Sequence, residues 1–282
     1  MTTFAPDLLA GRRALITGGG TGLGKSMGRR FLELGAELVI CGRRREVLEA
    51  TADEFRAEMP AARVAAHACD IRDAEAVEAM IGDIWAAAPL DILVNNAAAT
   101  FIAQTHKLSA RAVDAVLGPT LHGAVYVTLA AGRRWIETAH KGVVLSILST
   151  STITGRAFTV PSAIAKSGLL AMTKSLAVEW GPLGVRLVAI APGPFPTQGA
   201  SGQLGAAARG GARAAPADNP LGRVGGHGEL ADLAAFLVSD AAGYINGEMV
   251  TIDGGQHLRS SGAEDLLRWS EADWANLRAK SR

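Results

Sequence analysis

The chain of 282 residues is 49% hydrophobic and 20% charged, carries 33 glycines and has only 5% aromatic residues. That balance excludes a disordered or fibrous chain and supplies the core of one α/β domain over residues 1–282. Its 28 basic and 27 acidic side chains leave a formal charge of +1, too little for the cationic footprint of a nucleic-acid partner.

In chain order, short apolar, β-branched runs alternate with stretches whose apolar residues recur at three-to-four spacing. The runs are Ala14 to Thr17, Leu38 to Cys41, Val64 to Ala68, Ile92 to Val94, Val143 to Leu148, Val185 to Ile190 and Met249 to Ile252. Gly24 to Leu34, Glu46 to Glu58, Ala74 to Ala87 and Arg111 to Thr138 suit covering helices, and another begins near Pro161. This rhythm predicts βαβ units in a doubly wound, Rossmann-type parallel sheet of about seven strands, with helices on both faces. It breaks at Pro194 to Pro220, a Gly- and Ala-rich segment that reads equally as a lid over a site or as a tolerated surface insertion. The tail from Leu258 to Arg282, with Asp265 to Trp269 and Trp274, predicts a terminal helix whose tryptophans pack on a neighbouring surface.

Cys41 and Cys69 have no Cys or His at metal-site spacing, and the six histidines include no pair three to five apart. A reducing compartment and no metal are expected. The N-terminus lacks an apolar signal core and no later stretch offers about 18 uninterrupted apolar residues. A cytoplasmic protein without a membrane partner is the expectation.

The first strand leads through Thr17, Gly18, Gly19, Gly20, Thr21, Gly22, Leu23 and Gly24 into a helix. Glycines there let the backbone approach a pyrophosphate and adopt positive φ, while the helix start offers unpaired N–H donors. A tight turn would use the same residues, but the strand–turn–helix context favours a dinucleotide. At the end of the second strand a carboxylate would select NAD(H); this chain has Arg43 and Arg44, which match a 2′-phosphate, so NADP(H) is expected. Asp70, followed by Ile71 at the end of the third strand, either accepts from the adenine amino group or caps a helix.

These motifs, with Asn95-Asn96-Ala97-Ala98, Ser149, Lys166 and Pro192-Gly193, resemble the short-chain dehydrogenase/reductase family over almost the whole chain. The resemblance implies that the glycine loop holds the pyrophosphate and that Asn95-Asn96-Ala97 supports the strand beneath the nicotinamide, with Asn96 and Ala97 at the cofactor. It also implies that Lys166 binds the nicotinamide ribose, that Pro192, Gly193 and Phe195 complete the cofactor site, and that the chain forms a homo-oligomer, a tetramer. The family's usual Tyr-x-x-x-Lys appears here as Ser162-Ala163-Ile164-Ala165-Lys166, thirteen residues after Ser149, and neither Tyr126 nor Tyr244 has a lysine four positions on. Ser162 and Lys166 share one helix face. A phenol of pKa about 10 beside an ammonium can protonate a carbonyl oxygen, whereas a serine hydroxyl is far less acidic and can only donate a hydrogen bond to a developing oxyanion. The chemistry that survives is conjugate reduction of a C=C bond activated by a thioester carbonyl.

Within the family, Phe158 to Lys166, Ser175 to Gly181 and Pro192 to Phe195 are similar to the 2,4-dienoyl-CoA reductases, which also have Ser at the tyrosine position. That likeness implies an NADPH-dependent reductase of a conjugated acyl-CoA. Of the catalytic set Lys166, Ser162, Ser149 and Thr100, Lys166 would orient the cofactor and the three hydroxyls would hydrogen-bond the carbonyl. Arg43 and Arg72 would touch the 2′-phosphate or the CoA, and Phe101, Ser109 and Ser151 would line the substrate site. Read alone, Arg72 is a surface charge and Phe101 core packing. Thr100 and Ser151 stand where those enzymes have Asn and Tyr, and Gln203 stands near a CoA-binding arginine of theirs. His122 replaces an Asn and reads as a proton relay or a structural histidine, and Asp253-Gly254-Gly255 reads as a turn. Two alternatives stay open: reduction of another α,β-unsaturated carbonyl compound, and dinucleotide binding without catalysis.

Overall fold

The computed structural model describes residues 4–197, 219–259, 266 and 269–280. The expected strands all form: β1 (Arg13–Thr17), β2 (Glu37–Gly42), β3 (Val64–Ala68), β4 (Ile92–Asn95), β5 (Gly142–Ile147), β6 (Val185–Pro192) and β7 (Met249–Ile252). They pair in parallel in the order β3-β2-β1-β4-β5-β6-β7. The connecting helices are α1 (Gly22–Glu33), α2 (Arg45–Glu58), α3 (Ala74–Ala87), α4 (Ala110–Leu117), α5 (Gly123–Glu137), α6 (a single turn, Ser151–Thr154), α7 (Val160–Trp180), α8 (His227–Val238) and α9 (Glu271–Lys280).

Each strand feeds two cores because successive side chains leave the sheet on opposite faces. Ile16, Ile40, Val94, Leu145 and Val188 meet Phe31 of α1, Phe55 of α2 and Leu230 of α8 on one face. Leu15, Val39, Leu93, Val144 and Leu187 meet Ile81 of α3, Trp135 of α5 and Trp180 of α7 on the other. The near-continuous apolar runs of the sequence follow from this double burial.

The predicted helix over Arg111 to Thr138 is not one rod. A π-type turn at Gly118–His122 separates α4 from α5, since Pro119 has no N–H to donate and its ring crowds the preceding turn. Ala110–Glu137 is the one helical run among the described residues long and apolar enough to cross a membrane, and half of its apolar 18-residue stretch is buried inside the fold. The tail helix begins at Glu271, and the rings of Trp269 and Trp274 meet in a tilted arrangement, 5.1 Å between centroids and 59° between planes. Residues 198–218, which hold Gln203 and most of the predicted lid, lie outside the described residues.

The strand order reverses at β1, which pairs with both β2 and β4. Connections leave the carboxyl ends of β1 and β4 toward opposite faces, opening the crevice in which such sheets bind ligands.

Candidate active site

A cleft of about 560 Å³ runs along the carboxyl ends of β1 to β6. One end is lined by Gly18, Gly20, Thr21, Gly22, Leu23, Arg43, Arg44, Asp70 and Ile71, the middle by Asn96 and Ala97, and the other end by Thr100, Ser149, Ser151, Ser162, Lys166, Pro192 and Gly193. The fold thus gathers most of the sequence-predicted site residues into one space.

The glycine loop is built from the backbone upward. Gly18 and Gly22 sit at φ +65° and +55°, a region that side chains with a Cβ rarely adopt. Gly18 N donates to Cys41 O of β2 at 2.8 Å, and Asn96 Nδ2 donates to Thr17 O at 2.9 Å and Gly18 O at 3.3 Å. Thr17 Oγ1, buried, accepts from Asn96 N and Ala97 N at 3.0 Å each, riveting the end of β4 to the loop. Gly24 lies outside the cleft wall: a Cβ there would stand 2.5 Å from both Asn96 Nδ2 and Gly18 O, so its task is to let α1 approach the loop. Thr21 makes no side-chain cap bond and the first turn of α1 has no acidic residue. The N–H groups there are left for an anion. A cradle of this shape and donor chemistry fits the pyrophosphate of a dinucleotide.

Beside Arg43 and Arg44, Asp70 would repel a 2′-phosphate if its charge stood alone. Arg72 donates to it from Nε at 2.9 and 3.0 Å and from Nη2 at 2.5 Å, and these bonds hold the carboxyl below its ordinary range. The acidic partner is thereby neutralised and that end of the cleft stays cationic. Asp70 does not cap α3: Asp73 does, accepting from Glu75 N and Ala76 N. The hydroxyl end is organised by Ser149, whose Oγ accepts from Ser151 N at 3.3 Å and Ser151 Oγ at 3.2 Å. Its own O–H is then free to donate into the cleft. One turn below Ser162, Lys166 is buried, its Nζ donating to Ile147 O at 2.5 Å, and burial pushes its ammonium down to about 8. Among the described residues the cleft wall has no phenol and no imidazole.

Several predicted residues fall elsewhere. Phe195 is buried in the apolar core, its ring 2.3 Å from where a Cβ on Gly225 would stand, and lines a separate small cavity. An apolar ring after Pro194 gains more from core burial than from the cleft. Ser109 caps α4 by accepting from Ala112 N at 3.2 Å, as its position one residue before a helix dictates. Phe101 is half-buried outside the cleft wall, and Arg72 reaches the cleft only through Asp70. His122 is exposed and leans on Tyr126 at 6.4 Å, away from the cleft, so the relay role falls. Asp253 forms the expected turn, accepting from Gly255 N at 2.9 Å and His257 N at 2.7 Å. Reading the sequence missed Pro119, Arg156, Thr159 and Thr197, all in the cleft wall. For Arg156 the signal was its place between Ser149 and Ser162.

A seven-stranded parallel sheet, a glycine loop at its switch point and a serine–lysine pair over β5 define a nicotinamide-dinucleotide oxidoreductase of the Rossmann type. Residues 18–257 match the family described as Enoyl-(Acyl carrier protein) reductase, and the chain belongs to the short-chain dehydrogenase/reductase family. It is 41% identical over 249 residues to a probable 2,4-dienoyl-CoA reductase [(2E)-enoyl-CoA-producing] of Bacillus subtilis (strain 168), covering 88% of this chain and 97% of that one. Among solved structures, a short chain dehydrogenase from Bacillus anthracis superposes with a TM-score of 0.80 at 39% identity, covering 91% of this chain and 100% of the other. A gluconate 5-dehydrogenase from Burkholderia cenocepacia, in complex with NADP and tartrate, superposes with a TM-score of 0.83 at 30% identity, covering 90% and 99%.

Proposed function

We propose that the protein is an NADP(H)-dependent reductase of a conjugated C=C bond in an acyl-CoA thioester. The observation that carries this reading is the gathering of Ser149, Ser162 and Lys166 in one cleft wall that has no phenol among the described residues. The name of the Bacillus subtilis relative supports the substrate class, and the NADP bound to the Burkholderia cenocepacia structure, with Arg43 and Arg44 here, supports the cofactor.

NADPH bound along the cleft supplies the hydride for the alkene. The residues of the chain then have separable tasks. The loop from Gly18 to Gly24 and the start of α1 hold the pyrophosphate, and Arg43 and Arg44 take the 2′-phosphate. Lys166, fixed by Ile147 O, orients the nicotinamide ribose. Ser162, Ser149 and Thr100 donate hydrogen bonds to the thioester carbonyl oxygen as it gains enolate charge, each worth on the order of 3 kcal/mol in a preorganised site. A serine hydroxyl cannot surrender its proton at neutral pH, so the final proton reaches carbon from solvent.

NADPH absorbance followed with a 2,4-dienoyl-CoA and with a simple ketone tests the reading. Oxidation with the thioester and none with the ketone is expected. Efficient interconversion of a simple alcohol and its ketone would overturn it.

A further inference from the structure

Arg156 lines the same cleft as Ser151, Thr159 and Ser162, and none of the tasks above uses it. Its loop is held firmly. Gly155 at φ +66° and Phe158 at φ +64° bracket it, and the second is a conformation bulky residues seldom take unless their surroundings impose it. Thr159 Oγ1 donates to Arg156 O at 3.4 Å, and Ala103 N donates to Phe158 O at 2.9 Å, tying the loop to the segment that follows Thr100.

The guanidinium itself is exposed and, among the described residues, has no carboxylate beside it, unlike Arg72 on Asp70 or Arg223 on Glu229. Asp70 is the one carboxylate in the described cleft wall, and it belongs to the other end. Arg43 follows β2 and Arg156 follows β5, with β1 and β4 between, so their strands stand about 14 Å apart. Arg156 and Arg43 thus belong to connections that leave well-separated strands of the sheet. Ile102, adjacent to the Ala103–Phe158 bond, and Phe158, part of it, are both exposed apolar residues.

We propose that Arg156 is a specificity-determining residue that takes an anionic group carried by the substrate, a phosphate or a carboxylate, at the rim of the reaction end. This rests on the reductase reading above. A guanidinium matches either anion bidentately and stays charged at any working pH, while a neutral substrate has nothing to offer it.

The test uses wild type, Arg156→Ala and Arg156→Lys with NADPH and three thioesters sharing one conjugated acyl group. One is the CoA thioester, one the pantetheine thioester without phosphates, and one a pantetheine thioester whose acyl chain ends in a carboxylate. Arg156→Ala is expected to cut the kcat/KM preference for one anionic substrate over the neutral one at least tenfold, through KM, with partial recovery in Arg156→Lys. Loss on the CoA arm identifies a phosphate, and loss on the carboxylate arm a carboxylate. An unchanged preference on both arms would overturn the proposal. If wild type reduces none of the three, the reductase reading fails by itself. The subsite is then judged by calorimetric titration of coenzyme A and of glutarate into the protein with NADP+. Tenfold weaker binding of either by Arg156→Ala upholds it, and equal binding by both proteins rejects it.

Discussion

The two ends of the cleft are built on different principles. At the dinucleotide end the loop that would cradle the pyrophosphate offers backbone, at positive φ and at a helix start without a cap, and is riveted in place by the side chains of Asn96 and Thr17. Such a site tolerates little change, because a Cβ at Gly24 meets atoms at 2.5 Å. At the reaction end the proposed chemistry rests instead on side chains, the hydroxyls of Thr100, Ser149 and Ser162 and the ammonium of Lys166, all in the cleft wall.

If that division is right, substitutions at the two ends fail in different ways. Lys166→Ala should lower kcat/KM about a thousandfold, on the order of 4 kcal/mol, while NADPH affinity stays within about tenfold; an affinity loss that matches the rate loss would make Lys166 a binding residue only. Ser162→Ala should lower kcat about a hundredfold and leave NADPH affinity untouched, since one donor to the oxyanion is lost. Single-turnover kinetics reads that step directly. Arg43→Ala should act in the opposite sense, weakening NADPH binding about tenfold to thirtyfold with little change for NADH, measured by fluorescence titration.

The mildest test is pH. Burial holds the Lys166 pKa at about 8 against 10.5 when solvated, so in the free enzyme the ammonium persists below about 8 and is lost above it. Between about 8 and 10.5 the folded protein binds fewer protons than the unfolded chain, so stability rises with pH across that window. The rate should halve near pH 8 while resistance to urea increases, and Lys166→Met should flatten the stability change.

The dinucleotide end was legible in the sequence because backbone constraints leave residue signatures: glycines at fixed intervals, arginines closing a strand, apolar runs buried on both faces. The seven strands and α3 follow from the same signals, α3 to the residue. At the reaction end a spacing links Ser149, Ser162 and Lys166, whereas Thr100 and Ser151, which also line the cleft, were pointed to by the resemblance alone. Phe195 was misplaced because a stretch matching a motif does not say which way a ring turns, and core packing decided it. Arg156 went unseen because nothing local separates a loop arginine at a cleft from one in open solvent. The break at Gly118–His122 was written in Gly118-Pro119, but apolar spacing runs through it unchanged.

That break has a mechanical result. A π turn absorbs an extra residue, and one residue is about 100° of helical rotation, so α4 and α5 are clocked differently from a continuous rod. The mismatch is what lets Pro119 face the cleft while Trp135, further along, stays fully seated against the sheet. Deleting a single residue between 118 and 122 would re-phase the whole upstream helix, swinging the wall by a quarter turn while the floor beneath it kept its place.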